Sequence, residues 1–518
     1  MPPADATPVT VGALTALVPA LESAGPEGPG AAARAATPLT GATHDSRAVR
    51  PGDLYAALPG ARHHGADFCP QAAAAGAAAV LTDPAGRERA LATGLPVLVH
   101  PAPRRVLGAV AAAVHRDPAA GLLLLGVTGT NGKTTTAYLL EAGLRAAGHT
   151  TGLLGTVETR VADEVVPSAR TTPEATDLQA LFARMRDRGV TAAALEVSSH
   201  ALVLGRVDAT RFRVAAFTNL SQDHLDFHAD MEEYFAAKAS LFTPARADAA
   251  VVCVDDEHGR RLAATAGVPV TTCSATGRDA DWRALDVETG PRGSRFRLAG
   301  PDGTTTEAAV GLPGLYNVAN ATVALATLAR AGVPLAAAAA GVAALPGVPG
   351  RVERVEAGQA GLAVVDYAHT PDAVATLLAT LRAVTRGRLV VVLGCGGDRD
   401  RGKRPLMGAA AARGADLAVL TSDNPRSEDP LAILAAVADG ARGTAGAEVV
   451  VEPDRRAAIA LAVGGLGPDD TVVVAGKGHE QGQEAQGVVR PFDDRVVLAE
   501  ALRAARGAGR AAPARSAR

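Results

Sequence analysis

Short apolar runs alternate with longer, Ala-rich stretches along almost the whole chain. Runs of this length are typical of buried strands, and the stretches between them are long enough to form helices. The pattern therefore predicts an α/β protein. The predicted strands are 54–58, 78–81 and 96–99, then 122–127, 191–197, 214–218, 249–254 and 268–272, and finally 363–365, 389–393, 417–420 and 471–475.

The alternation falls into three regions, which we interpret as three domains. Residues 1–118 predict a small α/β domain. Residues 119–347 predict a doubly wound, largely parallel sheet. Two prolines and two glycines within Pro346–Gly350 interrupt the pattern, and a third α/β domain is expected over 348–505. Residues 506–518 are rich in Ala, Arg, Gly and Pro and are expected to form a frayed tail.

Length and charge limit the classes of function. A chain of 518 residues exceeds what one core usually supports, so several domains are expected. The 51 basic and 54 acidic side chains give a net charge of −3, which provides no overall field for nucleic acid. Small anionic ligands are the better expectation, and no nucleic-acid partner is predicted.

The cysteines and the amino terminus bear on the compartment. The four cysteines lie far apart without a C-x-x-C pair, so they indicate neither a disulfide framework nor a zinc site. The first residues lack a basic segment followed by an apolar core, and no apolar run approaches the roughly 20 residues of a membrane span. A cytoplasmic protein without a membrane span is expected.

The most informative segment is 126–135, Gly-Val-Thr-Gly-Thr-Asn-Gly-Lys-Thr-Thr, which links a predicted strand to an apolar helix. Gly129 and Gly132 would let backbone N–H groups approach a polyphosphate. Lys133 would reach the β and γ oxygens, and Thr134 would offer a hydroxyl to Mg²⁺. The spacing departs from G-x-x-x-x-G-K-[ST], because Val127 stands where the first glycine belongs. The segment predicts ATP or GTP binding in a variant of the phosphate loop.

Two further strand ends carry candidate metal ligands. Glu196 closes a predicted strand, so its carboxylate would emerge at the carboxyl edge of the sheet beside the nucleotide. Several polar residues crowd the segment 217–228, and His224 among them could bind Mg²⁺, although Mg²⁺ prefers oxygen ligands. Taken alone, His224 is better explained as a hydrogen-bonded turn histidine than as a metal ligand.

Together with the segment 234–242, Tyr-Phe-Ala-Ala-Lys-Ala-Ser-Leu-Phe, these motifs resemble the Mur ligase family. Its members use ATP to add amino acids to the UDP-sugar precursor of peptidoglycan. The resemblance extends from Asp45-Ser-Arg47 to Gly476-Lys-Gly-His-Glu480, nearly the whole chain. It implies a UDP-binding first domain, a central ATPase-like domain and a Rossmann-like third domain that binds the amino acid. It also implies a monomeric cytoplasmic enzyme of cell wall biogenesis.

The resemblance assigns the ATP half of the site. It implies that Lys133, Glu196, His224 and Lys238 are catalytic, and that Mg²⁺ is held by Thr134, Glu196, His224 and Lys238. Lys238 matches a family lysine that CO₂ converts to a carbamate, which would replace a repelling ammonium by a carboxylate-like group. Unmodified, Lys238 could instead be a solvated helix residue. The implied ATP ligands are Gly129, Thr130, Asn131, Gly132, Lys133, Thr134, Thr135, Asn317, Asn320, Arg351 and Asp366.

The resemblance also implies a site for the UDP-sugar dipeptide between the first two domains. The first-domain contacts are the looser ones, because polar residues in such loops are often only turn formers. The implied residues are Ser46, His63, Thr171, Thr172, Ser198 and Arg206.

Selectivity for the incoming amino acid is carried by Asp423-Asn-Pro-Arg426, which in the family accompanies diaminopimelate. Diaminopimelate has an amino acid head at both ends, and Arg426 can pair bidentately with the distal carboxylate. Lysine lacks that carboxylate. Without the other motifs, Asp423 and Asn424 would be interpreted as helix caps. The implied diaminopimelate site comprises Arg399, Asp423, Asn424, Pro425, Arg426, Gly476 and Glu480.

The expected reaction begins with attack of the D-glutamate γ-carboxylate on ATP, and the amine of diaminopimelate then displaces phosphate from the acyl phosphate. The alternatives are a lysine-adding ligase, a folylpolyglutamate synthase and a P-loop nucleotide switch. Arg426 and the Asp45-Ser-Arg47 motif argue against the first two, and no switch motif is found. A non-catalytic relative is disfavoured because Lys133, Glu196 and Lys238 are all present.

Overall fold

The computed structural model describes residues 8–25, 29–167 and 170–511, and these residues form an α/β protein built around three sheets. Each predicted strand overlaps an observed one. Within the described residues, no helix combines the length and the apolar character needed to cross a bilayer. The four cysteines are free and buried.

The first domain contains a five-stranded sheet in the order β2-β7-β6-β5-β4, with β2 antiparallel and the other strands parallel. Apolar side chains from both faces of this sheet form two small cores. The elements are β1 (Val9–Thr10), α1 (Val11–Leu17), β2 (Glu22–Ala24), α2 (Pro29–Ala35), β3 (Pro38–Leu39), β4 (Gly41–Thr43), β5 (Asp53–Ala57), α3 (Cys69–Ala74), β6 (Ala79–Thr82), α4 (Arg87–Leu91), β7 (Val97–Val99) and α5 (Pro103–Val114).

The middle domain carries the largest sheet, with eleven strands. Its parallel core was predicted, and strand β8 at its centre leads directly into the phosphate loop. The elements are β8 (Leu123–Thr128), α6 (Lys133–Ala146), β9 (Thr151–Leu154), β10 (Thr159–Val161), β11 (Glu164–Val166), α7 (Ala175–Asp187), β12 (Ala192–Glu196), α8 (Ser199–Val203), β13 (Val214–Phe217), α9 (Met231–Ala239), β14 (Ala250–Cys253), α10 (Glu257–Thr265), β15 (Val270–Ser274), β16 (Trp282–Gly290), β17 (Gly293–Ala299), β18 (Thr305–Val310), α11 (Leu315–Arg330) and α12 (Leu335–Ala344).

Both edges of this sheet are antiparallel, which the apolar runs did not indicate. The order is β11-β10-β9-β12-β8-β13-β14-β15-β16-β17-β18, and β10, β11, β17 and β18 run against their neighbours. Buried and more exposed residues alternate along β16 and β17, so these strands expose one face and contain no continuous apolar run. Helices α6 and α11 cover the other side and complete a large core.

The third domain contains a six-stranded sheet in the order β19-β20-β24-β21-β22-β23, parallel except for β19. A hairpin, β25–β26, stands outside it. The elements are β19 (Glu353–Arg354), β20 (Leu362–Asp366), α13 (Pro371–Val384), β21 (Leu389–Cys395), α14 (Lys403–Gly414), β22 (Leu417–Ser422), α15 (Pro430–Arg442), β23 (Glu448–Val451), α16 (Arg455–Val463), β24 (Thr471–Ala475), β25 (Gly482–Ala485), β26 (Val488–Pro491) and α17 (Asp494–Ala511).

The carboxyl terminus corrects one expectation. Helix α17 continues to Ala511, so residues 506–511, which were expected to be part of a frayed tail, are helical. Ala and Arg are strong helix formers, and here they outweigh the two glycines of this segment. The rest of the expected tail, 512–518, lies outside the described residues.

Helices α14 and α15 approach each other closely through two glycines. A Cβ atom on Gly408 would collide with the carbonyl of Val437, and one on Gly440 would collide with the carbonyl of Pro405. Each glycine therefore lies against the backbone of the opposite helix. This contact fixes the position of α14, which begins at Lys403, shortly after the predicted amino-acid-binding residue Arg399.

Replacing Gly408 by Ala is expected to destabilise the third domain, because the added methyl group would overlap Val437. Overpacking costs about 1–3 kcal/mol, which outweighs the roughly 1 kcal/mol by which Ala is favoured over Gly in a helix. Leu431→Ala on the exposed side of α15 is the control and should change the free energy of unfolding by less than about 0.5 kcal/mol. Chemical denaturation followed by circular dichroism measures both. A Gly408→Ala variant as stable as the parent would contradict the packing argument.

Candidate functional site

A cavity of about 480 Å³ opens where the phosphate loop of the middle domain meets the first strand ends of the third domain. Most residues predicted for ATP and the metal line it, whereas the predicted diaminopimelate residues do not. The predicted residues in its lining are Thr130, Asn131, Gly132, Lys133, Thr134, Thr135, Thr171, Glu196, Ser198, His224, Lys238, Asn317, Asn320, Arg351 and Asp366.

The phosphate loop connects β8 to α6 in the conformation that the glycines predict. Gly129 and Gly132 have positive φ angles of 154° and 87°, and a Cβ atom on either would collide with a neighbouring polar side chain. The loop is anchored by Asn219, whose carbonyl accepts from Thr130 N at 2.9 Å. Lys133 Nζ donates to two carbonyls of the loop, at 2.9 and 2.8 Å. The lysine is thus folded over the cradle that it would share with phosphate.

Glu196, at the end of β12, is the buried centre of the cavity wall. Its Oε2 accepts from the Thr134 hydroxyl at 3.0 Å, and its Oε1 accepts from Thr156 N at 2.8 Å. The Thr156 hydroxyl also donates to Oε2, at 3.1 Å. The predicted pairing of strand end and phosphate loop is therefore present. Thr156 was missed, since no motif marks this threonine after β9.

Two residues of the third domain reach the same cluster. Arg351 donates from Nη2 to the Thr134 hydroxyl at 2.9 Å, and its guanidinium lies 4.5 Å from the centre of the Tyr367 ring. Asp366, at the end of β20, accepts from Val352 N and Ala368 N, both at 2.7 Å. Burial raises the pKa of Asp366, and the Arg351 charge opposes that shift. Arg351 therefore connects the third domain to the phosphate loop.

Asn317 and Asn320, on the first turns of α11, are buried beside the loop. Asn317 Nδ2 donates to Pro313 O at 2.8 Å, and Asn320 Nδ2 donates to Asn317 Oδ1 at 3.2 Å. Both amides line the cavity, as expected for residues near a nucleotide.

Lys238, near the end of α9, is 1% exposed, unlike a solvated helix lysine. Its Nζ donates to Gly129 O at 2.8 Å and lies 4.5 Å from the centre of the Tyr234 ring. Burial and the nearby Lys133 charge place the pKa of Lys238 well below its usual value. A buried amine with a lowered pKa is more readily neutral and nucleophilic.

His224 lies in a tight turn with a positive φ of 56°. Burial lowers the pKa of His224 to about 3, against the opposing charge of Asp223 3.4 Å away. The imidazole is therefore neutral and able to act as a ligand.

The cavity wall fits a hard cation that keeps several waters. Among the described residues there is no group of three His, Cys, Asp or Glu side chains arranged around a metal. Glu196 and Thr134 nevertheless place two oxygen ligands together next to the phosphate loop. Mg²⁺ commonly uses one or two protein oxygens together with water and phosphate oxygens, so this set suits it.

Three of the predicted UDP-sugar residues, Thr171, Thr172 and Ser198, cluster beside Glu196. The Thr171 hydroxyl lies 2.9 Å from that of Thr156, and Thr172 donates to Glu196 O at 2.8 Å. Ser198 caps α8 and donates from N to the Thr172 hydroxyl at 3.1 Å.

Arg206 lies next to this group and pairs with Glu174 at 2.8 Å. Its Nε is buried and has no hydrogen-bond partner among the residues that the structure describes. The two first-domain residues do not line the cavity. Ser46 donates to Gln71 at 3.1 Å, and the ring of His63 is 6.3 Å from that of Phe68.

The predicted amino-acid residues follow β22 and β24 in the third domain. Asn424 donates from Nδ2 to Glu480 Oε2 at 2.7 Å, and a Cβ atom on Gly476 would come within 2.7 Å of Asp423 Oδ2. Arg426 adopts a positive φ of 52°, and its Nη1 donates to Gly397 O at 2.7 Å. The structure thus brings Asp423, Asn424, Gly476 and Glu480 together, whereas Arg426 contacts Gly397 and, at 3.6 Å, Glu484.

Arg399 and Pro425 contribute less to this arrangement. Arg399 donates from Nη1 to the carbonyl of its neighbour Asp398 at 3.2 Å, and no contact joins it to the Asn424–Glu480 pair. Pro425 separates Asn424 from Arg426, and a Cβ atom on Gly397 would collide with the Pro425 carbonyl.

Lys477 is a central residue that sequence reasoning missed. It is 0% exposed, and its Nζ donates to Asn424 Oδ1 at 3.0 Å, to Glu480 Oε2 at 3.2 Å and to Gly482 O at 2.7 Å. Asp423 lies 3.8 Å from the same nitrogen. The signal was a lysine between two glycines after an apolar strand, within a segment noted only for its ends.

Three family models match the chain in order. They are the Mur ligase family, catalytic domain, over residues 38–115, the Mur ligase middle domain over 127–328, and the Mur ligase, glutamate ligase domain, over 350–478. Each match falls within one of the three domains described above.

Curated relatives and solved structures support the same family. The chain is 60% identical over 482 residues to the UDP-N-acetylmuramoyl-L-alanyl-D-glutamate–2,6-diaminopimelate ligase of Streptomyces avermitilis, which covers 91% of this chain and 95% of the relative. It is 50% identical to the enzyme of the same name from Corynebacterium glutamicum, covering 87% and 89%. A solved structure with that name is 36% identical, with a TM-score of 0.64 over 90% of this chain and 95% of the other.

A more distant structure, a MurF ligase from Thermotoga maritima in complex with ADP, shares the fold at 18% identity. Its TM-score is 0.62, over 90% of this chain and 98% of the other. Sequence, domain order and fold lead to one assignment: the chain belongs to the Mur ligase family.

Proposed function

We propose that this protein is an ATP-dependent ligase that joins diaminopimelate to the D-glutamate of UDP-N-acetylmuramoyl-L-alanyl-D-glutamate in peptidoglycan synthesis. The observation that carries the proposal is the contact between two subsites. Asp366 lines the ATP cavity, and its carbonyl accepts from Gly476 N at 3.1 Å, at the start of the amino-acid segment. The activated carboxylate and the attacking amine would therefore meet at one edge of the third sheet.

The proposed ATP subsite is built on the phosphate loop. Lys133 would exchange its two carbonyl contacts for β and γ phosphate oxygens, and the loop N–H groups would hold the chain of phosphates. Bound at Thr134 and Glu196, with His224 nearby, Mg²⁺ would neutralise charge on the transferred phosphoryl group. Arg351 would bring a further positive charge from the third domain. Together these groups stabilise charge that develops during transfer.

The proposed subsite for the UDP-sugar dipeptide is the cluster of polar residues beside Glu196. Thr171, Thr172 and Ser198 offer hydroxyls. The Nε of Arg206, which has no hydrogen-bond partner among the described residues, offers a charged donor. These groups suit the anionic dipeptide end of the nucleotide sugar. Its γ-carboxylate would attack the γ-phosphorus of ATP, giving an acyl phosphate and ADP. Ser46 and His63 remain proposed contacts for the uridine end.

The proposed acceptor subsite has a polar floor formed by the buried Asp423, Asn424 and Lys477 and by the partly exposed Glu480, with Arg426 at its side. Arg426 donates one N–H to Gly397 O and its Nε lies 3.6 Å from Glu484 Oε2, so further donors remain among the five of a guanidinium. A bidentate pair with the distal carboxylate of diaminopimelate would satisfy further donors. The amine at the other end then attacks the acyl carbon, and phosphate leaves as the peptide bond forms.

The buried environment of Lys238 supports carbamylation by CO₂. A neutral amine is the reacting form, and both burial and Lys133 favour it. The carbamate would exchange the amine's contact with Gly129 O for attraction to the cation and to Lys133. Held rigidly by α9, it would orient the metal's surroundings.

Among the alternatives, the diaminopimelate-adding ligase is favoured over the lysine-adding ligase by the names of the relatives and by Arg426. The nucleotide-switch alternative is disfavoured by the family assignment. We further propose a cytoplasmic enzyme, because two of its substrates are nucleotides. A monomer suffices, since one chain supplies all three subsites.

Phosphate release from ATP is expected to require both the UDP-sugar dipeptide and diaminopimelate. The physical reason is that productive transfer needs the carboxylate in line with the γ-phosphate, and turnover needs the amine. A coupled phosphate assay that omits each substrate in turn measures this dependence, with L-lysine as the comparison acceptor. Turnover at the full rate without an acceptor would instead favour a nucleotide switch.

Arg426→Ala is expected to raise KM for diaminopimelate by about 100-fold, or roughly 3 kcal/mol, because a charge-assisted bidentate contact is lost. KM for ATP should stay within about twofold, since Arg426 does not line the ATP cavity. Arg490→Ala, on the exposed strand β26 of the adjacent hairpin, is the matched control. Steady-state kinetics in which each substrate is varied in turn measure both KM values. Equal losses for ATP and diaminopimelate would remove the specificity argument.

Lys238→Ala is expected to lower kcat by at least about 100-fold, the usual effect of losing one preorganised charge. Added acetate or formate should restore part of the activity by replacing the carboxylate-like group. Lys238→Arg keeps a cation but cannot form the carbamate, and it should stay inactive. A ¹³C NMR carbamate signal from ¹³C-bicarbonate is expected in the parent only. Full activity of both variants would show that the carbamate has no role.

A further inference from the structure

Arg455 is a completely buried arginine outside the residues assigned so far. It is the first residue of α16, and its side chain is 0% exposed. Its Nε and Nη2 form a fork with Asp494, the first residue of α17, at 2.8 and 2.7 Å. The Asp494 side chain is also 0% exposed.

The remaining donors of Arg455 reach two strand ends. Its Nη2 donates to Ala475 O at 3.0 Å, and its Nη1 donates to Ser422 O at 3.3 Å. Ala475 ends β24 and Ser422 ends β22, and β21 lies between these strands in the sheet. One guanidinium thus bridges the carboxyl ends of two strands that do not pair with each other.

The bridged strand ends lead directly into the amino-acid subsite. Residues 423–426 follow Ser422, and residues 476–480 follow Ala475. The two segments meet closely: Asn424 and Glu480 are 2.7 Å apart, and a Cβ atom on Gly476 would come within 2.7 Å of Asp423. A change of a few tenths of an ångström in the separation of the strand ends would alter these contacts.

Stability alone does not explain this arrangement. Burying an ion pair costs several kcal/mol per ion, and apolar replacements are often neutral or stabilising. A cation at the amino terminus of α16 is also disfavoured by the helix dipole. The exposed pair Arg456–Glu500 joins the same two helices at 2.5 Å without these costs. Arg455 therefore does something that a surface ion pair or an apolar contact cannot do.

We propose that Arg455, held by Asp494, is a positioning residue for the acceptor amino acid: it fixes the separation of the segments 423–426 and 476–480. The proposal rests on the proposed function of that subsite and extends it to a residue that does not touch substrate. By setting the distance between Arg426 and Glu480, Arg455 would match the site to an acceptor with charged groups at both ends. ATP and the nucleotide sugar bind elsewhere and would not depend on it.

The test uses the double variant Arg455→Met/Asp494→Leu of the full chain, which removes both charges and leaves none buried alone. It should remain folded by circular dichroism. KM for diaminopimelate is expected to rise by about tenfold or more, because misplacement of a binding group by a fraction of an ångström is costly. KM for ATP and for the UDP-sugar dipeptide should stay within about twofold of the parent.

The matched control is Arg456→Met/Glu500→Leu, which removes the surface pair between the same helices and should leave all three KM values unchanged. Should the buried double variant fail to fold, Arg455→Lys takes its place, since one ammonium keeps the charge but cannot span both carbonyls and Asp494. It should show the same selective rise in KM for diaminopimelate.

Unchanged KM for diaminopimelate in a folded variant, or equal losses for all three substrates, would overturn the proposal. Assays of the parent enzyme distinguish a failure of this proposal from a failure of the proposed function. If the parent itself turns over without diaminopimelate, the function is wrong. If the parent requires it and the variant binds it normally, only the role of Arg455 is wrong.

Discussion

The cleft between the middle and third domains depends on one buried carboxylate, that of Glu196. It accepts hydrogen bonds from Thr134 in the phosphate loop and from Thr156 after β9, and Thr134 in turn accepts from Arg351 of the third domain. A single chain of contacts thus joins the nucleotide cradle, the substrate cluster and the neighbouring domain. Burial of an unpaired carboxylate would be costly, so these donors are required to be in place. In the proposed function, the same requirement would make Glu196 a preorganised oxygen ligand for a cation.

The amino-acid subsite follows a different principle, since its acidic groups surround an internal cation. Lys477 holds Asn424 and Glu480, while Arg455 beneath them fixes the strand ends. Buried polar networks of this kind are rigid when every member is satisfied. Rigid placement matters here because the acceptor carries opposite charges at each end, and a small displacement would unpair one of them. In the proposed function, the ATP cavity would gain specificity from backbone N–H groups, whereas the acceptor subsite would gain it from side-chain geometry.

The sequence predicted the features that are local. The glycines of 129–132, the lysine after them and the buried strands leave short-range signals, and the structure places them as expected. Thr156 and the Arg455–Asp494 pair left no such signal, because Glu196 and Asp494 are 40 and 39 residues away from Thr156 and Arg455 and are brought close only by the fold. Lys477 stood in a recognised segment, but its contact with the distant Asn424 could not be inferred from that segment. The antiparallel strands at the edges of the middle sheet were missed because one-sided burial produces no apolar run. Within the described part of the chain, the hydrogen bond of Arg399, which was assigned by resemblance, goes to the neighbouring carbonyl of Asp398.

The transfer of one oxygen atom tests the account most directly. The D-glutamate γ-carboxylate of the nucleotide sugar is labelled with ¹⁸O, and the phosphate released with each peptide product is analysed by mass spectrometry. If the carboxylate attacks the γ-phosphorus and the amine of diaminopimelate then displaces phosphate, each phosphate carries one ¹⁸O atom from the substrate. Product formed together with unlabelled phosphate would contradict the acyl phosphate and, with it, the role given to the cleft around Glu196.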